Sequence, residues 1–591
     1  MTSAYLDGDH IGVLASYTDK ERIVQVPGAR WNREAKVWRV PLTWAACLQL
    51  RGLFGSELNV YTELGDWAWE EYTHRIAPAM EWREALELFA SGSVGTARQV
   101  LDWLEKIEGD SDLQLKAFQQ VDVNFLVICG QAILAQTPGC GKSAVAIRTL
   151  QVLHAMGLEP YPALIICPNS LKHTVWAREL ERWAPELSVS VVDGGAVTRR
   201  KQIAERADVT VINYESMRLH THIAGYGTIK LKDSEKVPKE LNELWLRTVI
   251  VDEAHKLRHP DTVQTRAAWA LLHDAEFRYL LTGTPINNHV GDLWALLHGI
   301  LPDWFPAKTK YLERYVEIGY NWFGGMDVLG LKPEHSAEFR NVTEPLMRRL
   351  PKAVVLPQLP PKLPVQYRET PMSPKQAKVY RQMQDNLIAW LDVDALVTAP
   401  TALAKMIRLL QFASAYAEVD ERGDVKLTNP SSKVDDLMEL LDEMGEEPLV
   451  VAAVSRQLIE LAAARLQEAG ISYGMVTGAQ SVPARAVAVN EFQEGTTRVI
   501  LLTLGAGAEG ITLTRADTMC FMQRSFSPLE NSQCEDRIHR IGAEGHEHIT
   551  IIEQITPGTV EEARRDLLEA KGVRIEEVLQ DKEMLRRLLG S

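Results

Sequence analysis

Cysteine is scarce and dispersed in this 591-residue chain. Cys47, Cys129, Cys140, Cys167, Cys520 and Cys534 contain no Cys-x-x-Cys pair, which excludes a disulfide framework and a cysteine zinc site. His546 and His548 have no second ligand pair beside them and make no metal site on their own. Long apolar runs are missing as well. None approaches the roughly 18 residues that suggest a bilayer span, and the N-terminus lacks a signal-peptide pattern. No internal repeat and no long low-complexity tract stands out. Positive charge is in deficit, with 64 Lys and Arg against 79 Asp and Glu, for a formal net charge of −15. That excludes a uniformly basic coat, but screening over about 8–10 Å leaves room for a local basic groove. Cytoplasmic residence without a membrane partner is the expectation. The chain shows no nuclear localisation run, so a bacterial cell or a virus-infected bacterial host is the expected setting.

What is present is ordinary globular composition, 46% hydrophobic and 24% charged, at a length that exceeds one hydrophobic core. Two blocks alternate short apolar strands with helical stretches, the pattern of parallel sheets covered on both faces. The first block predicts strands at Ala163–Cys167, Val209–Asn213, Thr248–Val251 and Arg278–Leu281, with helices around Lys142–Met156, Leu171–Trp183 and Thr262–His273. The second predicts strands at Leu449–Val454, Val499–Thr503, Thr518–Met522 and Ile549–Ile555, with helices around Arg456–Ala469 and Ala484–Glu494. Between them a Pro-rich crossing from Leu356 to Pro364 resists helix and predicts an extended connection. Gly225–Pro238 and Gly324-Gly325 predict surface excursions.

The apolar run Phe125–Ala135 leads into Pro138-Gly139-Cys140-Gly141-Lys142-Ser143 and then a helix, the context that makes a phosphate loop. Backbone N–H groups of Gly139, Cys140 and Gly141 can face one concavity, and the helix N-terminus adds positive potential. Lys142 supplies a charge to the β- and γ-phosphates, and Ser143 a hydroxyl to Mg²⁺. Gln136 stands where the full G-x-x-x-x-G-K-[ST] pattern has its first glycine. Farther on, Thr248-Val249-Ile250-Val251 ends in Asp252-Glu253, two carboxylates at the carboxyl end of a buried strand, where open α/β sheets bind ligands. Asp252 suits Mg²⁺, and Glu253 suits orienting or deprotonating an attacking water. Together the two motifs predict nucleoside triphosphate hydrolysis. Arg537 and Arg540 are three apart, which places them on one face if the segment is helical.

From Leu113 to Leu579 the chain resembles the Swi/Snf-type ATPases of helicase superfamily two. Leu115-Lys116-Ala117-Phe118-Gln119 resembles the motif whose Gln reads adenine. Cys167-Pro168-Asn169-Ser170-Leu171 and Asn213-Tyr214-Glu215 resemble DNA-facing turns, which implies DNA contacts at Ser170, Asn213 and Tyr214. Leu281-Thr282-Gly283-Thr284-Pro285-Ile286-Asn287-Asn288 is similar to the coupling motif, which implies coupling roles for Thr282, Thr284 and His255, and the resemblance extends such a role to Gln533. Ala506 to Thr514 resembles the motif that contacts DNA backbone and nucleotide, which implies roles for Thr512 and Gly510. Arg537-Ile538-His539-Arg540-Ile541-Gly542 resembles the arginine-finger motif, implying that Arg537 and Arg540 reach the γ-phosphate. Met347-Arg348-Arg349-Leu350 and Leu359-Pro360-Pro361-Lys362 resemble the inter-lobe signature, implying helical protrusions and a duplex-tracking motor. Departures are Gln136-Thr137-Pro138, Gln523 to Pro528, and Gly542-Ala543.

Within that family the likeness is to the annealing-helicase (HepA-related, HARP) branch, whose small substrate-recognition domain is similar to Val26–Asn32 with Lys36–Leu42. Arg30, Arg33, Lys36 and Arg39 interleave there with Trp31 and Trp38, cations for phosphate beside flat faces for exposed bases. The expected fold is α/β, two RecA-like doubly wound parallel-sheet lobes with helical inter-lobe protrusions and a small N-terminal domain. Its expected map is a recognition module at 1–63, a helical connector at 64–112, lobe 1 at 113–300, protrusions and linker at 301–430, lobe 2 at 431–565 and a helical tail at 566–591. The resemblance implies a monomer that binds ATP, Mg²⁺ and double-stranded or branched DNA. Competing readings are a strand-separating DEAH-box-like RNA or DNA helicase and a DNA-binding scaffold with weak ATPase.

Overall fold

The computed structural model describes residues 2–16, 19–32, 35–73, 98–109, 113–286, 290–320, 326–350, 352, 356–393, 399–419, 425–507 and 510–566. Arg33, Trp82, Asn287, Asn288, Gly324, Gly325, Ala508, Glu509 and the tail beyond Asp566 lie outside the described residues. The chain divides into two compact units, Met1–Val355 and Leu356–Ser591.

The first unit opens with a five-stranded sheet of β1 (Thr2–Asp7), β2 (His10–Leu14), β3 (Arg30–Asn32), β4 (Val37–Pro41) and β5 (Leu58–Val60), ordered β3-β4-β2-β1-β5. Its core is aliphatic with one Phe, including Ala4, Ile11, Val13, Val40, Leu50 and Phe54. Trp38 and Trp67 pack against this core partly buried, whereas Trp31 is 47% exposed. Helix Trp44–Phe54 starts where the Thr43 hydroxyl accepts from the Ala46 N–H. Ala45 on that helix joins the main core of the unit, and Gln49 donates to the Tyr315 hydroxyl at 3.1 Å, so the module is docked by its own helix.

The main sheet of this unit comprises β6 (Gln131–Leu134), β7 (Ala163–Cys167), β8 (Val189–Val191), β9 (Val209–Asn213), β10 (Thr248–Asp252) and β11 (Phe277–Leu281). A hairpin, β12 (Val316–Tyr320) with β13 (Met326–Leu331), precedes the edge strand β14 (Met347–Arg348). The order is β14-β6-β11-β10-β7-β9-β8, and every pairing is parallel. Every residue of β7, β9 and β10 is buried, because helices cover both faces and both sides of each strand must be apolar. Along β10, Val249 and Val251 enter one core while Ile250 enters the other. The apolar run Phe125–Ala135 is two elements: helix Ala117–Cys129 ends at Gly130, whose φ of 64° turns the chain into β6.

The second unit carries β15 (Gln366–Glu369), the hairpin β16 (Tyr416–Val419) with β17 (Val425–Thr428), then β18 (Leu449–Ala453), β19 (Tyr473–Val476), β20 (Val499–Thr503), β21 (Thr518–Phe521) and β22 (Thr550–Ile555). Its sheet order is β15-β22-β21-β18-β20-β19, again all parallel. Residues Leu356 to Pro364 form no helix and touch the sheet through one bridge from Lys362 to Ile549. Of the intervening region, helices Lys308–Tyr315 and Ser336–Thr343 belong to the first unit, and helices Pro374–Val393 and Ala399–Ser414 to the second. All six cysteines are free.

Candidate nucleotide site and nucleic-acid-facing surfaces

Beyond β6 the chain runs through the phosphate loop into helix Lys142–Ala155. Gly139 and Gly141 have φ of 83° and 74°, the left-handed region that glycine enters without penalty. A Cβ on Gly141 would stand 2.3 Å from Nε2 of Gln119. Gln119 reaches the loop by donating from Nε2 to the Cys140 carbonyl at 3.0 Å, while its Oε1 accepts from the Lys116 N–H at 2.8 Å. Lys142 donates from Nζ to the carbonyls of Gln136 at 2.8 Å and Thr137 at 3.4 Å, so it lies along the loop. Cys140 is buried, and burial pushes its thiol up.

Gln136, in place of the pattern's first glycine, is fully buried and donates to Asp122 Oδ1 at 2.9 Å. Its own Oε1 accepts from the Leu350 N–H at 3.2 Å, and Arg348 pairs with Asp122 at 2.6 Å. The departure at 136 thus ties the loop entry to helix Ala117–Cys129 and to β14.

Asp252 closes β10 at 6% exposure. One carboxylate oxygen accepts from the Glu253 N–H at 2.9 Å and the other from the Trp176 indole at 2.9 Å. Burial, then the neighbouring Glu253, pushes its carboxyl up to about 6 against the pull of Lys142 and Trp176. Glu253 has φ of 52°, a conformation rare for a residue with a side chain. The Tyr214 hydroxyl holds this bend by donating to the Asp252 carbonyl at 2.6 Å, with the Glu253 carbonyl at 3.3 Å. His255 Nδ1 lies 3.2 Å from the Glu253 carboxylate and 3.5 Å from the Thr282 hydroxyl, which accepts from the Thr284 N–H at 3.1 Å. Gly283 packs so closely that a Cβ there would meet Pro138 Cδ at 2.8 Å. Gln119, the loop, the carboxylate pair and the His255–Thr284 chain are therefore one connected cluster at the carboxyl edge of the sheet.

This donor set fits a nucleoside triphosphate with a divalent cation. The glycine conformations and the N-terminus of helix Lys142–Ala155 suit phosphate, and Ser143 with Asp252 suits a cation that keeps much of its water. Among the described residues no group of three or more His, Cys, Asp or Glu side chains forms a separate metal cage.

Of the residues expected to face DNA, Asn213 is 7% exposed and donates to Glu215 at 2.6 Å. Tyr214 is 1% exposed, so its side chain supports the Asp252-Glu253 bend and does not face solvent. Ser170 has a buried hydroxyl without a hydrogen-bond partner among the described residues. In the N-terminal module, Arg30, Trp31 and Arg39 line a cleft of about 750 Å³ together with Asp303 and Pro306. Trp38 packs on Trp31 with ring centroids 5.4 Å apart, and Arg39 pairs with Asp7 at 2.7 Å.

In the second unit, helix Pro528–Glu535 ends before the arginines, so Arg537 and Arg540 sit on turns and not on the helix face their spacing suggested. Arg537 is 4% exposed and donates from Nε to the Gln533 carbonyl at 3.0 Å, while Arg540 donates to the Ile511 carbonyl at 3.1 Å. The Leu513 N–H donates to the Arg537 carbonyl at 2.9 Å, which binds the segment after Gly510, through Thr512, to the arginine segment. Gly510 has φ of 66°. Lys362 pairs with Glu535 at 2.7 Å and His539 lies 3.1 Å from the Pro360 carbonyl, so the Leu-Pro-Pro-Lys signature anchors on the same segment. His546 Nε2 lies 2.7 Å from the Thr514 carbonyl, a structural use.

Trp176, Asp122 and the inward role of Tyr214 escape sequence reasoning. Only the six-residue π-helical stretch Lys172–Ala177 turns Trp176 onto a carboxylate in a distant strand, and nothing local signals that.

A profile described as the SNF2-related domain matches residues 100–416, and one described as the helicase conserved C-terminal domain matches residues 432–542. Protein CHROMATIN REMODELING 19 of Arabidopsis thaliana is 26% identical over 77% of this chain and 67% of its own length. The Mus musculus chromodomain-helicase-DNA-binding protein 1-like is 28% identical over 77% of this chain and 49% of its own. DNA annealing helicase and endonuclease ZRANB3 of Homo sapiens is 26% identical over 70% of this chain, which spans 36% of that relative. Among solved structures, the Sulfolobus solfataricus SWI2/SNF2 ATPase core in complex with dsDNA aligns over 80% of this chain and 97% of its own, at 20% identity and a TM-score of 0.36. The SNF2-related profile covers more than half of the chain, which therefore belongs to the SNF2-related family of ATPases.

Proposed function

We propose that this chain is a DNA-dependent ATPase that moves along duplex DNA and remodels or anneals branched or gapped DNA, such as forks. The observation that carries the proposal is the connected cluster of Gln119, the phosphate loop, Asp252, Glu253, His255, Thr282 and Thr284. Gln119 receives the adenine, Lys142 and the loop N–H groups hold the phosphates, and Ser143 and Asp252 hold Mg²⁺. The bound cation supplies charge neutralisation to the transferring phosphoryl group. Glu253 orients the attacking water and takes its proton, and His255 sits close enough to the Glu253 carboxylate to sense that change.

Arg537 and Arg540 stabilise the charge that builds on the phosphoryl group, a contribution of about 10³–10⁵ in rate for such arginines. The Trp31, Arg30 and Arg39 cleft of the N-terminal module takes phosphate and exposed bases at a branch point.

The test is ATPase rate in the presence of duplex, forked and single-stranded DNA and of RNA. Stimulation by duplex and forked DNA is expected; stimulation by RNA alone contradicts the proposal.

A further inference from the structure

Asp252 is held from two directions by aromatic side chains whose segments begin at the two turns that resemble DNA-facing motifs. Trp176, fully buried, donates its indole N–H to the outer carboxylate oxygen at 2.9 Å. The π-helical stretch that carries it, Lys172–Ala177, starts directly after Ser170-Leu171. The Thr174 hydroxyl ties back to the Ser170 carbonyl at 2.5 Å, and the buried Lys172 ammonium donates to the Val192 carbonyl at 2.8 Å and pairs with Asp193. Tyr214 follows Asn213 and holds the main chain of the Asp252-Glu253 bend. A carboxylate that must hold a cation needs its plane fixed, and a neutral indole donor does this without competing charge.

We propose that Trp176 and Tyr214 are positioning residues that carry the state of the Ser170 and Asn213 turns to the Asp252-Glu253 pair. Trp176 fixes the carboxylate plane for the cation, and Tyr214 fixes the left-handed bend that aims Glu253. Displacing either turn is expected to move its aromatic side chain, because each follows its turn directly in the chain, is at most 1% exposed and is hydrogen-bonded to Asp252. The coupling half of this proposal rests on the reading of these turns as DNA-facing; the positioning half does not.

Two measurements separate them. The first is equilibrium binding of a non-hydrolysable ATP analogue with and without Mg²⁺, in the absence of DNA. Trp176→Phe keeps a ring and removes the donor; it is expected to reduce the Mg²⁺-dependent gain in affinity by about tenfold or more, the usual scale for a partner of a metal ligand, and to leave Mg²⁺-free binding unchanged. In an Asp252→Asn background the same change is expected to add nothing. Equal losses with and without Mg²⁺, or additive losses in the two backgrounds, overturn the positioning role.

The second is the ratio of DNA-stimulated to basal turnover for Tyr214→Phe, a variant that loses only the hydroxyl. It is expected to lose most of the stimulation with DNA affinity and the KM for ATP unchanged. Full stimulation in Tyr214→Phe overturns the coupling. A wild-type protein that no DNA stimulates contradicts the proposed function instead, and leaves the Mg²⁺ result standing by itself.

Discussion

In the proposed mechanism the Glu253 carboxylate serves a water while its backbone makes the left-handed bend, and the two uses separate by substitution. Glu253→Gln keeps the size and the left-handed backbone, so turnover is expected to vanish while nucleotide affinity persists, checked by single-turnover hydrolysis beside equilibrium binding. Gly283 offers a steric test. A Cβ there meets Pro138 at 2.8 Å, so Gly283→Ala must push the phosphate loop aside. Misplacement of about 1 Å can cost up to 10²-fold, and kcat/KM is expected to fall by about tenfold or more. Arg540→Ala is expected to slow hydrolysis by about 10³ with nucleotide binding little changed. The placement of Lys142 at a helix start and of Asp252-Glu253 at a strand end was legible in the sequence, because phosphate and metal chemistry would demand those types there. Trp176 was not, since an indole on a distant strand's carboxylate has no local pattern. Tyr214 was expected to contact DNA but folds inward, because its hydroxyl donates to the Asp252 carbonyl with the Glu253 carbonyl beside it.

Elements show the same division. β7, β9 and β10 were legible as apolar runs because both of their faces are covered. The edge strands β8 and β14, three and two residues long, are too short to carry a period. The buried pair Asp122–Arg348 holds β14's end to helix Ala117–Cys129 at 2.6 Å. Arg348→Ala leaves a buried carboxylate without its cation and is expected to cost about 3–5 kcal/mol in denaturant unfolding, whereas Asp122→Asn with Arg348→Met recovers much of that. Helix Val263–Asp274 carries a second test. His273, near its end, has burial lowering its imidazole from 6.5 to about 4, with His298 adding to the shift. The unfolded chain takes up this proton first, so the stabilisation is complete above 6.5 and is lost as pH falls towards about 4. Stability should fall by on the order of 3 kcal/mol across that window, and less steeply in His273→Gln, as read from unfolding midpoints against pH.

At the scale of the molecule, the main sheet of each unit is all-parallel and the candidate site residues lie beyond its strands. The first unit holds the nucleotide cluster and the second holds Arg537 and Arg540, anchored by Gln533 and Ile511 carbonyls. The N-terminal module adds a separate cleft with Arg30, Trp31 and Arg39, and removing residues 1–63 is expected to lower activity on forked DNA more than on plain duplex. The measurement that tests the central claim most directly is ATP-driven displacement of a third strand from a duplex, compared between wild type and Glu253→Gln. Displacement by the wild type that requires ATP and is absent in Glu253→Gln is the predicted result. Hydrolysis that is stimulated by duplex DNA yet never displaces the third strand would contradict a translocating motor.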